Sequence, residues 1–281
     1  MPFLQTIQAQ VEGVIESKYM KNGPYAVKKQ EDHALQNFSK YEIFYPAELE
    51  TSDRTWPVVV LCNGTGVPLS RYAAIAQHYA SWGFIVIGSE EAYSWNGCSA
   101  EMALRHLERL DENEKIGDQN SVFYHKVDFD RIGAVGHSQG GVGAMNAASV
   151  QPHHDVFKTI VALSPTNLEL AENLEWAYDP SLVPIPTLLI SGAGGGDDPV
   201  VNKEQLEEIY AKLPGQKVMM RRVDTPHGDI LYKADGYVTA WLMAQLQDDL
   251  DAAKAFAGEK TEILSNSLYQ DQKLDMEKAA Q

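Results

Sequence analysis

The residues in this chain whose types and spacing could do chemistry begin with Gly136-His137-Ser138-Gln139-Gly140, which has the form G-x-S-x-G. The short apolar run Arg131-Ile132-Gly133-Ala134-Val135 precedes it, and the small residues Gly141-Val142-Gly143-Ala144 follow. A serine at a sharp turn between a strand and a helix presents its hydroxyl as a nucleophile. The turn is tight and the helix passes close to the strand, so bulk beside the serine would clash. A serine hydroxyl is a poor nucleophile at neutral pH; it needs a base, and the base needs an orienting carboxylate. Both occur downstream, in the order Ser, Asp, His. The turn Gly192-Ala193-Gly194-Gly195-Gly196-Asp197-Asp198-Pro199 carries two aspartates, and Thr225-Pro226-His227-Gly228 presents a histidine. The expected chemistry is acyl transfer, with Ser138 as nucleophile, His227 as general base and either Asp197 or Asp198 as the acid. The other aspartate is expected to cap the helix that follows. Of eight histidines, His227 alone lies in a strand-end turn after the aspartates. His137 reads as a packing residue beside the nucleophile.

Acyl transfer also needs donors for the developing oxyanion. The backbone N–H of Gln139 is one candidate, at a helix N-terminus whose dipole favours negative charge. The second is expected from Asn63-Gly64-Thr65-Gly66, with the Thr65 N–H preferred and Gly64 as alternative. Neither this loop nor the Gly192–Gly196 run completes a phosphate-binding G-x-G-x-x-G or G-x-x-x-x-G-K-[ST] pattern. No HExxH, CxxC or EF-hand pattern occurs, so the sequence calls for no metal and no cofactor.

These residues need elements to position them. Pro57–Leu61, Gly83–Gly88, the run before Ser138, Lys158–Leu163, Pro186–Ser191 and Gln216–Val223 read as strands, most of them apolar enough to be buried. Helices are expected at about 1–22, with Phe3, Leu4, Ile7, Val11 and Ile15 at helical spacing, and at 70–82, after an N-cap at Ser99, at 203–213 and at 235–250. Residues 41–46 read as an outer strand. Alternation of strand and helix predicts an α/β fold, a mostly parallel central sheet with helices on both faces. On that sheet Ser138, the aspartate turn and His227 all fall just past C-terminal strand ends, where ligands bind. No linker divides the chain. One domain is expected over 1–281, with a core at about 40–250, an N-terminal helix and first strand before it, and a polar tail at 251–281.

A 281-residue chain can bury a large core. Its net charge of −16, from 23 Lys+Arg against 39 Asp+Glu, argues against nucleic-acid and anionic-membrane partners. No apolar run approaches the ~20 residues of a membrane helix. The start shows no basic n-region followed by an apolar segment, so the expected compartment is the cytoplasm, with secretion after loss of a leader as the alternative. Cys62 and Cys98 are too few for a disulfide framework and are expected as thiols.

Taken together, Gly136-His137-Ser138-Gln139-Gly140-Gly141, Asn63-Gly64-Thr65-Gly66, Ser164-Pro165, the aspartate turn and Pro226-His227-Gly228 resemble the α/β-hydrolase superfamily. Within it, residues 40 to 250 look like the dienelactone-hydrolase-like and cutinase-like (polyester hydrolase) esterases. Asp198-Pro199-Val200-Val201 is similar to the Asp-x-x-Val turn of that superfamily, which favours Asp198 over Asp197 as the acid. Three positions depart from the resemblance. Ser138 stands where dienelactone hydrolases have cysteine. Thr166 stands where polyester hydrolases usually have tryptophan, and Thr65 where an aromatic residue is common. The aromatic clamp for a polymer ring is therefore missing at both places, and Tyr93, Trp95 and Trp176 become the candidates to line an acyl pocket with Thr166. The resemblance implies a serine carboxylesterase acting on small to medium acyl esters. A polyester hydrolase or an acyltransferase on the same fold is the alternative, and a non-catalytic binding protein on a hydrolase scaffold is the alternative of another class.

Overall fold

The structure is a computed structural model that describes residues 9–33 and 40–276. Its frame is a nine-stranded sheet. In chain order the strands are β1 (Val27–His33), β2 (Lys40–Pro46), β3 (Trp56–Cys62), β4 (Ile85–Ser89), β7 (Val127–His137), β8 (Phe157–Leu163), β9 (Thr187–Ala193), β10 (Lys217–Val223) and β11 (Tyr269–Asp275). Two-residue strands β5 (Lys115–Ile116) and β6 (Gln119–Asn120) form a separate hairpin. Spatial order in the large sheet is β1-β2-β4-β3-β7-β8-β9-β10-β11. The strands from β4 through β10 run parallel, and β1, β2 and β11 join the two sides through antiparallel pairings.

The helices are α1 (Val14–Tyr19), α2 (Ala73–Ser81), α3 (Cys98–Glu112), α4 (Gln139–Ala147), α5 (Leu168–Asn173), α6 (Lys203–Lys212), α7 (Ile230–Lys233), α8 (Asp235–Leu246) and α9 (Leu250–Ala253). Alternate residues of each central strand serve opposite cores, as the two-residue period of a strand requires. Val59 and Leu61 of β3 pack with Ile75 and Tyr79 of α2 and Tyr237 and Trp241 of α8. Val58 and Val60 pack with Leu104 and Leu107 of α3, Met145 of α4 and Ile209 of α6. The Trp241 indole donates to Thr159 Oγ1 of β8 at 2.7 Å, so the one polar atom of that buried ring is satisfied. This is the expected mostly parallel α/β-hydrolase sheet with helices on both faces.

The differences lie at the sides. β1 is the outermost strand; a first strand is expected before residue 40 without bounds, and it lies outside the one expected at 41–46. Its sequence, Val-Lys-Lys-Gln-Glu-Asp-His, has no apolar alternation to betray it, and it pairs with β2 with Glu31 opposite Glu42. Lys29 and Lys40 each bridge both carboxylates, which removes the like-charge conflict. The stretch expected as a polar tail carries β11 at the other side. The helix expected at 235–250 stops at Leu246; Asp248 has φ 55°, and Asp249 caps α9 by accepting from the Asp251 and Ala252 amides. At the N-terminus only Val14–Tyr19 is helical among the described residues, and Phe3, Leu4 and Ile7 of the longer expected helix lie outside them. Ser99 falls in the first turn of α3 rather than at its cap, because Asn96 Oδ1 already takes the Cys98 amide at 2.9 Å. Cys62 and Cys98 are both free thiols. Among the described residues no helix is long and apolar enough to cross a membrane.

Candidate active site

Strand β7 ends at His137 and helix α4 begins at Gln139, so Ser138 alone makes the turn. It does so at φ 59° and ψ −123°, a region that non-glycine residues avoid at a cost of about 1–3 kcal/mol. The strain is held by hydrogen bonds on both sides. Ser138 N–H donates to Leu163 O at 2.8 Å, and Ser138 O accepts from Gly141 N at 2.9 Å and Thr166 N at 3.4 Å. The flanking glycines are required by close approach. A Cβ on Gly136 would run into the Gly140 carbonyl, and one on Gly140 into the Cys62 carbonyl at the end of β3.

Asp197 is wholly buried, and its two oxygens are divided between two tasks. His227 Nδ1–H donates to Oδ1 at 2.6 Å. Oδ2 accepts from the Ser164 hydroxyl at 2.7 Å and from the Gly192 amide. Asp198, the acid favoured from the sequence, is instead half-exposed, and its carboxylate meets the Arg221 guanidinium at 2.7 Å. The physical reason is the shape of the turn. Asp197 O accepts from Val200 and Val201 amides, which coils the backbone and sends the two adjacent side chains apart. Neither aspartate caps the next helix. Asn202 does so, accepting from Gln205 N at 3.0 Å in a capping box. Asp197 is therefore the aspartate brought to His227. Ser164, quoted in the sequence only as part of Ser164-Pro165, turns out to sit behind it at φ 42°. Its one sequence signal is its place at the C-terminal end of a parallel strand.

At the expected oxyanion side, three of the four loop amides that follow Asn63 are occupied. Gly64 N–H donates to the Tyr72 hydroxyl at 3.0 Å, Gly66 N–H to Ala92 O at 2.9 Å and Val67 N–H to Gly64 O at 3.1 Å. Thr65 lies in the exposed tip of this turn, and its amide has no partner among the described residues. Gly64 is thus the less available of the two candidates. Gln139 is the first residue of α4, whose leading N–H groups have no intrahelical acceptor. A network not read from the sequence joins the two sides. Asn63 Nδ2 donates to Ser89 O and Glu91 O, Ser94 Oγ donates to Asn63 O at 2.6 Å, and Ser94 N–H donates to Gln139 Oε1 at 3.0 Å.

The four candidate lining residues lie on segments that converge here. Thr166 is buried, its amide on Ser138 O and its carbonyl taken by the Tyr178 hydroxyl. Tyr93 follows Ala92, whose carbonyl holds Gly66 of the loop, and is 57% exposed. Asn146 of α4 donates to Trp95 O at 2.8 Å and Ala177 O at 3.3 Å, so the Trp95 loop and the segment after Trp176 meet over the same helix. Trp95 and Trp176 are each half-buried.

His137 is more than the packing residue expected. It is buried, its Nε2 lies 2.9 Å from the backbone oxygen of His227, and its ring centroid is 4.6 Å from that of His227. Burial, with the neighbouring His227 adding to it, lowers its pKa to about 4. It is therefore neutral near pH 7, and the carbonyl acceptor requires the proton on Nε2. Cys62 next to the elbow has its thiol pushed up to about 12 by burial, so it stays protonated and is no rival nucleophile.

Comparison with known proteins fits this geometry. The profile of the PETase family, described as PET hydrolase-like, matches residues 11–253. A bis(hydroxyethyl) terephthalate hydrolase from Streptomyces coelicolor is 28% identical over 196 residues, which cover 68% of this chain and 56% of that protein. Cutinase est1 from Thermobifida alba is 25% identical over 263 residues, 91% of this chain and 81% of that one. A cutinase from Thermobifida fusca is 29% identical over 237 residues, 81% and 71% of the two chains. The chain thus spans about half the length of the Streptomyces relative and most of the Thermobifida ones. With a family match over most of its length and the parallel sheet beneath it, this chain belongs to the PET hydrolase-like family of cutinase-like α/β-hydrolases and is a carboxylic ester hydrolase.

Proposed function

We propose that the chain is a serine carboxylesterase with Ser138 as nucleophile, His227 as general base and Asp197 as the orienting acid. The observation that carries this reading is the buried Asp197 carboxylate at 2.6 Å from His227 Nδ1, beside a serine held at a strained elbow. Ser138 Oγ attacks the ester carbonyl carbon while its proton passes to His227 Nε2, and the C=O electron pair moves onto oxygen. Gln139 and Thr65 amides receive that oxyanion. As the pair returns, the C–O bond to the alcohol breaks and the leaving oxygen takes the proton from His227, leaving an acyl-serine. Water then attacks the acyl carbon, gives its proton to His227 and releases the acid as Ser138 Oγ recovers the proton. Asp197 supports the imidazolium formed in each half and keeps Nδ1 as the donor.

The substrates in this reading are esters of small to medium acids, seated between the Tyr93–Trp95 loop and Trp176. Polyester hydrolysis is a second reading, supported by the family match and by the exposed Tyr93 and Leu174 on segments that flank the site. Hydrolysis of p-nitrophenyl esters of rising acyl length, of bis(hydroxyethyl) terephthalate and of a polyester film separates the two. Turnover is expected for the soluble esters and absent in Ser138→Ala. Retained turnover in Ser138→Ala would sink the serine-esterase reading, and a folded protein that turns over none of these esters and whose Ser138 resists a fluorophosphonate probe would favour a binding protein. Release of product from the film supports the second reading.

A further inference from the structure

His227 stands on an exposed turn. Asp224, Pro226 and Gly228 around it are solvent-exposed, while Thr225 and Ile230 anchor the turn on either side by full burial. Between those anchors His227 itself is held by two hydrogen bonds. One is the side-chain bond to Asp197 described above. The other comes from the opposite side: the His137 imidazole, at the last position of β7, reaches the backbone oxygen of His227 at 2.9 Å, with the two rings tilted 37° against each other. The groups facing His137 are His227, Asp197 and, across Gly64, the Tyr72 hydroxyl; a Cβ on Gly64 would lie 3.3 Å from His137 Nδ1 and 3.0 Å from that hydroxyl. His137 Nδ1 itself is buried with no partner among the described residues. Among the described residues the ring's one hydrogen bond is therefore to His227, and it joins the base to the residue adjacent to the nucleophile.

Resting on the serine-esterase reading above, we propose that His137 is a positioning residue for the reaction. Its Nε2–H ties the His227 main chain to the end of β7, so that the base is fixed relative to Ser138 by a bond separate from the Asp197 contact. An arrangement of the His227 turn that breaks this bond leaves the imidazole N–H buried without an acceptor, which is unfavourable. Misplacement of a reacting group by about 1 Å costs on the order of 10²-fold in rate.

The test compares wild type, Ser138→Ala, His137→Phe and His137→Gln on p-nitrophenyl butyrate, with thermal melts of each. Phenylalanine keeps the ring volume and removes the donor; glutamine keeps an N–H that can reach the same carbonyl. His137→Phe is expected to lose about 10²-fold in kcat with KM unchanged, and His137→Gln to recover most of it at a similar melting temperature. Wild-type kcat in His137→Phe overturns the proposal. So does an equal loss in two variants that both fold, because the donor would then not be what matters. If His137→Phe fails to fold, His137→Gln decides alone: near-native kcat supports the role and a large loss overturns it. Ser138→Ala keeps the two readings apart. Activity in that variant removes the serine-esterase reading itself, whereas an inactive Ser138→Ala beside an unimpaired His137→Phe removes only the positioning role.

Discussion

At the scale of single residues, the site turns on which of two adjacent aspartates faces inward. Asp197 and Asp198 are identical in type and one position apart, so no argument from spacing separates them. Burial does: Asp197 is enclosed and takes donors from Ser164, Gly192 and His227, while Asp198 spreads its charge between solvent and Arg221. Asp197→Asn is expected to lower kcat by about 10⁴-fold, because the amide cannot hold the imidazole in the same tautomer or balance its positive charge. Asp198→Asn breaks a half-exposed ion pair and is expected to change kcat by less than about fivefold, since such pairs contribute roughly 0–1 kcal/mol. Steady-state kinetics on one soluble ester measures both; equal losses would count against the inward-outward division.

At the scale of elements, the strands that carry Ser138, Asp197 and His227 are braced by parts whose sequences look uninformative. Glu16 of α1 is fully buried and meets Arg222 of β10 at 3.0 Å, with Tyr269 Oη and Asn266 Nδ2 on the same carboxylate. Glu262 in turn accepts the Ile15 and Glu16 amides at the start of α1. The N-terminal helix and β11 are thus locked to β10, the strand that leads into the His227 turn. Removing one partner of a buried pair leaves the other charge uncompensated, so Glu16→Ala is expected to cost about 3–5 kcal/mol in a urea titration. A loss under about 1 kcal/mol would mean that Arg222 finds a substitute. None of this was legible from sequence, because Glu16 sits in a stretch rich in polar residues and its partner lies more than two hundred positions away. The edge strand β11 was missed, and the first strand expected before residue 40 was given no bounds, for a related reason. An edge strand with one solvated side carries charged residues where a central strand carries Val and Ile, and so lacks the signal by which β3, β4, β8 and β9 were found.

At the scale of the whole molecule, stability should depend on pH through the buried imidazole of His137. Its folded pKa of about 4 lies below the ordinary histidine value. Between the two the unfolded chain binds more protons than the folded one, so stability rises with pH there. The contribution is complete above about pH 6.5 and is lost as pH falls toward 4. Comparing pH 7.5 with pH 4.5, wild type is expected to lose about 2–3 kcal/mol more than His137→Gln, which has no such group. The difference between the two urea curves isolates this effect from the many carboxylates of a chain with 39 Asp+Glu. Identical pH dependence in both would show that His137 is not held neutral by burial.

By itself the sequence determined the central strands, their mostly parallel direction, the serine turn and the succession Ser138, aspartate turn, His227. These are local patterns: apolar runs, glycines at a tight turn and turn residues after strands are all written in consecutive positions. Only the tertiary structure turned Asp197 rather than Asp198 toward His227, occupied the Gly64 amide while leaving that of Thr65, placed Ser164 behind Asp197 and brought His137 to the carbonyl of His227. Those outcomes depend on which way a side chain turns and what meets it from a distant strand. Burial and hydrogen-bond satisfaction settle such choices, and both exist only once the chain is packed.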